Sequence, residues 1–303
     1  IALYDAKGTK QMLQHNGELL SDVLNVTEKD QVFEFHGIYG RPIPALLCDF
    51  SAPVKLDYDY TTEQLLGLLK FADNQFARWD AAQMLFTQEL RRNVAHFQQG
   101  EAFDISPDVL TALAHVLENY EQDIELATLI LTLPKDIEFA ESFKTIDPDG
   151  IAAAREFMLV QIAEYLKEDL LRIYTHIRLE DYQVTQKDIA LRAMRNLCLS
   201  YLAYTNLGNN VVQKHYNNAN NMTDTLAALN MATKAALPCR DTLLADFEQK
   251  WQHDGLVMDK WFALQATRPD ENVLEIVQAL MDHPSFNFNN PNRLRSLVGS
   301  FAN

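Results

Sequence analysis

Near residue 61 the sequence changes its hydrophobic period, and it does not change back. From "TTEQLLGLLKFAD" onward, apolar residues recur at i, i+3 and i+4: Leu65, Leu68, Leu69 and Ala72 form one stripe. Trp79, Ala82, Gln83 and Phe86 fall at the same spacing on the next segment. "DPDGIAAAREFMLVQIAEYLKEDLLRIYTHI" predicts one long helix with a proline-containing entry. Breakers such as "LPKD", "IDPDG", "NLGNN" and "LPCRD" divide the rest into about a dozen helices. So long a helical run with short links predicts an α-superhelix, a solenoid of stacked antiparallel helix pairs, although no tight sequence repeat is visible. Before the switch the period is two. "QVFEFHGIY" sets Phe33 and Phe35 against Glu34 and His36, and "VKLDYDY" sets Val54, Leu56, Tyr58 and Tyr60 against Lys55, Asp57 and Asp59. Three or four antiparallel strands with one wet face are expected there. The fold class is therefore mainly α, preceded by a partial antiparallel β-sandwich, with domains at 1–60 and 61–303.

Charge and cysteines exclude several classes of function. Lys and Arg number 26 against 42 Asp and Glu, a net −16, which disfavours nucleic acid and anionic membranes as partners. Cys48, Cys198 and Cys239 lie far apart with no paired spacing, which reads as a reducing compartment. No apolar run approaches the roughly eighteen residues of a membrane span. "IALYDAKGTK" has no initiator Met and begins inside what reads as a strand running into an Ala-Lys-Gly turn. A fragment is the expectation.

A search for catalytic constellations is negative. None of the eight histidines precedes a glutamate, so H-E-x-x-H is absent, as are the P-loop, G-x-G-x-x-G, G-x-S-x-G and Cys-x-x-Cys. His115 and Glu118 have a metal-compatible i, i+3 spacing, but no companion pair accompanies them. The plainer reading is a half-buried histidine beside a surface acid. Trp251, Trp261 and Phe262 offer an aromatic pocket lining or buried core, and their helical spacing favours core. Asp254-Gly255 reads as a helix stop and turn. Asn221 or Thr223 is expected to cap a helix whose Leu226, Leu229 and Ala232 face the core.

The chain ends "FNFNNPNRLRSLVGSFAN". Asn290 is a good N-cap, Pro291 suits the first helical position, and Leu294, Leu297, Val298 and Phe301 recur at i, i+3, i+4 and i+7. Arg293 and Arg295 flank that stripe in the first turns, where cations oppose the helix dipole. Two readings stay open: an anion site built from a helix N-terminus plus an arginine, or an ion pair with one of the chain's acids.

Read in order, the chain resembles the C-terminal portion of the bacterial, zinc-dependent aminopeptidase N family. The resemblance is carried by "PALLCDFSAPVKLDY", "RWDAAQML", "NNMTDTLAAL", "LPCRDTLLADFEQKWQHDGLVMDKWFALQAT" and "NPNRLRSLVGSFA". It implies the end of a small β-sandwich followed by most of a helical superhelix that closes over a catalytic domain. The module would enclose substrate and select peptides by size. It implies zinc in the full-length parent only, with no metal, cofactor or catalytic residue in this portion, which should be inactive alone. Expected partners are the catalytic domain of the same polypeptide and peptide substrates, in a cytoplasmic, monomeric enzyme. The resemblance places Arg295 beside the substrate chamber as a remote anchor, and leaves Arg293 as the structural arginine. The alternative from another class is a helical-repeat scaffold that binds protein partners through its concave face.

Overall fold

The computed structural model describes residues 1–179 and 181–302. It contains two compact units, Ile1–Gln161 and Ile162–Asn303.

In the first unit, β1 (Ala2–Tyr4) lies between β2 (Lys10–Gln11) and β5 (Ile43–Ala45), antiparallel to both, with Leu3 opposite Gln11 and Pro44. The Ala-Lys-Gly turn forms as expected: Asp5 Oδ1 accepts from the amides of Lys7 and Thr9, both at 2.8 Å, and Gly8 takes a φ of 85°. A second hairpin pairs β3 (Gln14–His15) with β4 (Glu18–Leu19) around Asn16-Gly17, both at positive φ, as a tight two-residue turn requires.

Two expected strands are absent. Residues 31–39 and 54–60 have no regular secondary structure and join no ladder. The alternation at 31–39 is nonetheless real, since Phe33 and Phe35 turn inward while Glu34 and His36 face solvent. One backbone bond, His36 N to Gln14 O at 2.7 Å, is the pairing the segment achieves. Alternation fixes which face is dry; it does not supply a neighbouring edge.

Six helices follow: α1 (Thr62–Phe71), α2 (Gln75–Gln99), α3 (Pro107–Glu118), α4 (Ile124–Ile130), α5 (Asp136–Ala140) and α6 (Pro148–Tyr165). The unit boundary falls inside α6. The predicted stripe of α1 is buried throughout, with Leu65, Leu68, Leu69 and Ala72 all below a tenth exposed. Thr61 and Gln64 bond each other's backbone in a capping box. Helix α2 buries Ala82 and Phe86, and Gly100 ends it in the left-handed conformation.

The second unit continues with α7 (Lys167–His176), α8 (Gln186–Leu202), α9 (Gly208–Asn218), α10 (Met222–Lys234), α11 (Arg240–Trp251), α12 (Gly255–Ala266) and α13 (Val273–Leu280). The expected single long helix is thus two, because Leu166 leaves helical geometry (φ −95°, ψ 3°) and buries its side chain at the joint. Helices α7 and α8, and α9 and α10, pack as consecutive hairpins. The core gathers Leu229, Phe247, Met258, Trp261, Phe262 and Leu297. Trp261 is buried and donates its indole N–H to Leu244 O at 2.9 Å, so the aromatic segment is core, as its spacing predicts. Asn221 caps α10 and Asp254 caps α12, each by accepting backbone amides.

Candidate functional site

The last helical segment carries the two arginines. It begins as α14 (Pro291–Leu294), widens into a π segment (Arg295–Gly299) and closes with a short turn (Ser300–Ala302). Asn290 caps it by accepting the amides of Asn292 and Arg293. The predicted stripe is partly kept. Leu297 is fully buried, Leu294 and Val298 are half-buried, and Phe301 is 37% exposed. A π segment puts extra residues into one turn, so later side chains are rotated away from the stripe a regular helix would make.

Arg293 is buried and fully used. Its guanidinium pairs with Asp259 of α12, donates to the carbonyls of Ser285 and Gly255, the latter at 2.7 Å, and stacks 5.1 Å above the Phe262 ring. Ser296 Oγ donates to the same Asp259 carboxylate at 3.2 Å. This arginine joins three chain segments and is structural.

Arg295, two residues on, is exposed, and no ion pair or side-chain hydrogen bond holds its guanidinium among the described residues. It stands where α14 gives way to the π segment, free to meet an anion.

A second cluster was not legible in the sequence. Tyr174 of α7, His215 of α9 and Asp224 of α10 meet inside the second unit. Tyr174 Oη lies 3.0 Å from His215 Nδ1, and His215 Nε2 lies 4.0 Å from Asp224 Oδ1 without a hydrogen-bond partner. Asn196 and Asn221 each donate a side-chain amide to the Asp224 carboxylate, at 3.0 and 2.9 Å. Burial, and then the Arg195 cation, push the His215 pKa down to about 4, while Asp224 opposes that shift. Phenol, imidazole and carboxylate in line could relay a proton. With His215 and Asp224 almost wholly enclosed, however, the array works as an internal brace.

Metal chemistry finds one cluster among the described residues: His15, Glu34 and His36. The backbone amide of Asn16 donates to His36 Nδ1 at 3.0 Å, which leaves the ring proton on Nε2. Neither nitrogen of His36 then offers a free lone pair, and the site is not organised for a cation. His115 and Glu118 are both exposed and belong to no such cluster among the described residues. The cysteines are free; burial pushes the Cys198 thiol up to about 12, which keeps it unreactive. No helix among the described residues is long and apolar enough to cross a membrane.

Comparison with known proteins places this geometry in a wider frame. Residues 62–303 match a family model described as a domain of unknown function (DUF3458_C) of ARM repeats, and residues 1–59 match one described as DUF3458 with an Ig-like fold. Proteins named aminopeptidase N align over the whole chain at 88% identity in Haemophilus influenzae and 48% in Escherichia coli. The chain spans about a third of their length, 35% of each. A crystal structure of Legionella pneumophila aminopeptidase A in complex with aspartic acid superposes with a TM-score of 0.84 at 28% identity, over 99% of this chain and 35% of that one.

Proposed function

Because the chain belongs to the family of ARM-repeat domains described as DUF3458_C, preceded here by an Ig-like segment, we propose that it is the substrate-enclosing module of a zinc-dependent aminopeptidase N. The observation that carries this reading is the end-to-end similarity to proteins of that name, over a third of their length. In the whole enzyme the zinc would supply an activated water for attack on the peptide carbonyl, with a glutamate of the rest of the polypeptide as general base. This chain has no H-E-x-x-H, so that machinery belongs to the rest of the polypeptide. The portion described here is inactive alone, has the catalytic domain of the same polypeptide as its partner, and limits by size which peptides enter. A monomeric, cytoplasmic enzyme is part of the reading, and three cysteines free of disulfides support a reducing compartment.

Within it, Arg295 anchors the C-terminal carboxylate of short peptides. Its free guanidinium supports the role, since a planar fork grips a carboxylate through two parallel hydrogen bonds. In the intact enzyme, Arg295→Ala should raise KM for di- and tripeptides about tenfold, the effect of some 1.4 kcal/mol, and leave kcat nearly unchanged. Peptides with an amidated C-terminus should show no difference between variant and wild type. An unchanged KM for the free acids removes Arg295 from the site.

A further inference from the structure

The segment "RWDAAQML" carries part of the resemblance yet has no role in the peptidase reading, and its arginine opens onto a cleft. The end of α1, the start of α2, the end of α3 and the start of α4 enclose about 270 Å³ in the first unit, bordered by Lys70, Arg78, Asn119, Gln122 and Asp123. That volume suits a small metabolite.

Arg78 is half-buried and, among the described residues, closes on no carboxylate. Arg92, Arg240, Arg268 and Arg293 each close on a carboxylate. Arg78 donates Nε to Leu69 O at 3.1 Å, and among the described residues its two terminal nitrogens have no protein partner. Burial disfavours its charge, and Asp123 is near enough to offset part of that penalty, yet the two form no ion pair. A cation and a carboxylate thus border one cleft without closing on each other. Lys70, above the Phe71 ring at 5.1 Å, adds a second cation to the lining and has no carboxylate partner among the described residues.

Asp123 keeps acceptor capacity. Its Oδ1 takes the Leu126 amide at 3.0 Å as the cap of α4, and its Oδ2 takes Gln75 Nε2 at 2.7 Å. A carboxylate has about four lone-pair sites, so further donors can be accommodated.

We propose that this cleft binds a small zwitterion of the α-amino-acid class, with its carboxylate on Arg78 and Lys70 and its ammonium on Asp123. A bare anion would meet the Asp123 charge and a bare cation would meet Arg78; only a molecule bearing both satisfies each wall. The inference is independent of the peptidase reading.

Equilibrium dialysis of the intact protein with labelled glycine tests it, with acetate and inorganic phosphate as competitors. Wild type should bind one equivalent more than Arg78→Gln, whatever other sites the protein carries. Asp123→Asn, which keeps the helix cap, should lower glycine affinity at that site about tenfold while acetate binding holds or improves. Arg78→Lys, which keeps the charge and loses the fork, should weaken binding severalfold, and it replaces Arg78→Gln if that variant does not fold. Equal stoichiometry in wild type and Arg78→Gln overturns the proposal, as does, where that variant does not fold, an unchanged glycine affinity in Arg78→Lys. So does displacement of glycine by acetate or phosphate at equal concentration, which would mark a simple anion site.

Discussion

Arg293 and Arg295 are two residues apart and have the same side chain, yet the structure uses them in opposite ways. The difference comes from burial. Arg293 turns inward, where an unpaired cation would be costly, and Asp259, Ser285 and Gly255 supply its partners. Arg293→Ala leaves Asp259 facing a gap and should lower unfolding stability by about 3 kcal/mol. Arg293→Lys should recover little of that, because one ammonium cannot reach three acceptors. Arg295→Ala should shift stability by less than about 0.5 kcal/mol, as for an ordinary surface change. Urea denaturation of the three variants separates the roles, and matching midpoints for Arg293→Ala and Arg295→Ala would contradict the assignment.

At the scale of single elements, the legible features were those whose chemistry is local. A cap needs only one side chain and the next turn, so Asn290 could be placed from sequence alone, and the cap of α10 narrowed to Asn221 or Thr223, of which the structure uses Asn221. Asp254, expected as a stop, proves to be the cap that starts α12. Asp254→Ala should therefore cost about 1 kcal/mol and Asp254→Asn much less, read as shifts in thermal midpoint. The joint between α8 and α9 is tighter: a Cβ on Gly208 would lie 2.3 Å from Ala203 O, so Gly208→Ala should destabilise by about 2 kcal/mol. A full-stability Gly208→Ala protein would show that this joint yields. Features set by distant partners stayed hidden. Residues 31–39 alternate like a strand but lack a neighbouring edge, and the π segment lies packed against α12, a partner distant in sequence. Tyr174, His215 and Asp224 come from three helices with no spacing that relates them. The Asn16-Gly17 hairpin was within reach of sequence reasoning, because Asn-Gly between extended segments is a strong turn signal.

Across the whole molecule, acidification acts on two kinds of group that favour the fold, in different ranges, while burial raises Asp80 and opposes them. The net charge of −16 comes from carboxylates spread along helix faces, and several are held below their usual range. Against the opposing effect of burial, Arg240 and Arg268 lower Asp270, and Lys250 and Tyr216 lower Asp246. Such groups stabilise the fold while ionised, and that contribution is lost only as the pH falls below the usual carboxylate value near 3.8. His215 acts earlier. Its folded-state pKa of about 4 lies below the ordinary 6.5, so the unfolded chain binds the proton first. Its neutral form is therefore fully favourable to folding above about pH 6.5, and stability drains away as the pH falls from there toward 4. Over that window the loss amounts to about 3 kcal/mol, since each pKa unit corresponds to about 1.4 kcal/mol. Acidification should then weaken the protein in two stages, the histidine stage preceding the carboxylate stage. His215→Gln should be less stable at pH 7, through loss of the Tyr174 contact, but its stability should change little between pH 6.5 and 4.5. Urea unfolding at half-unit pH steps measures the slope directly. If wild type and His215→Gln lose stability in parallel across that window, the proton is taken up elsewhere and the buried imidazole is not the sensor.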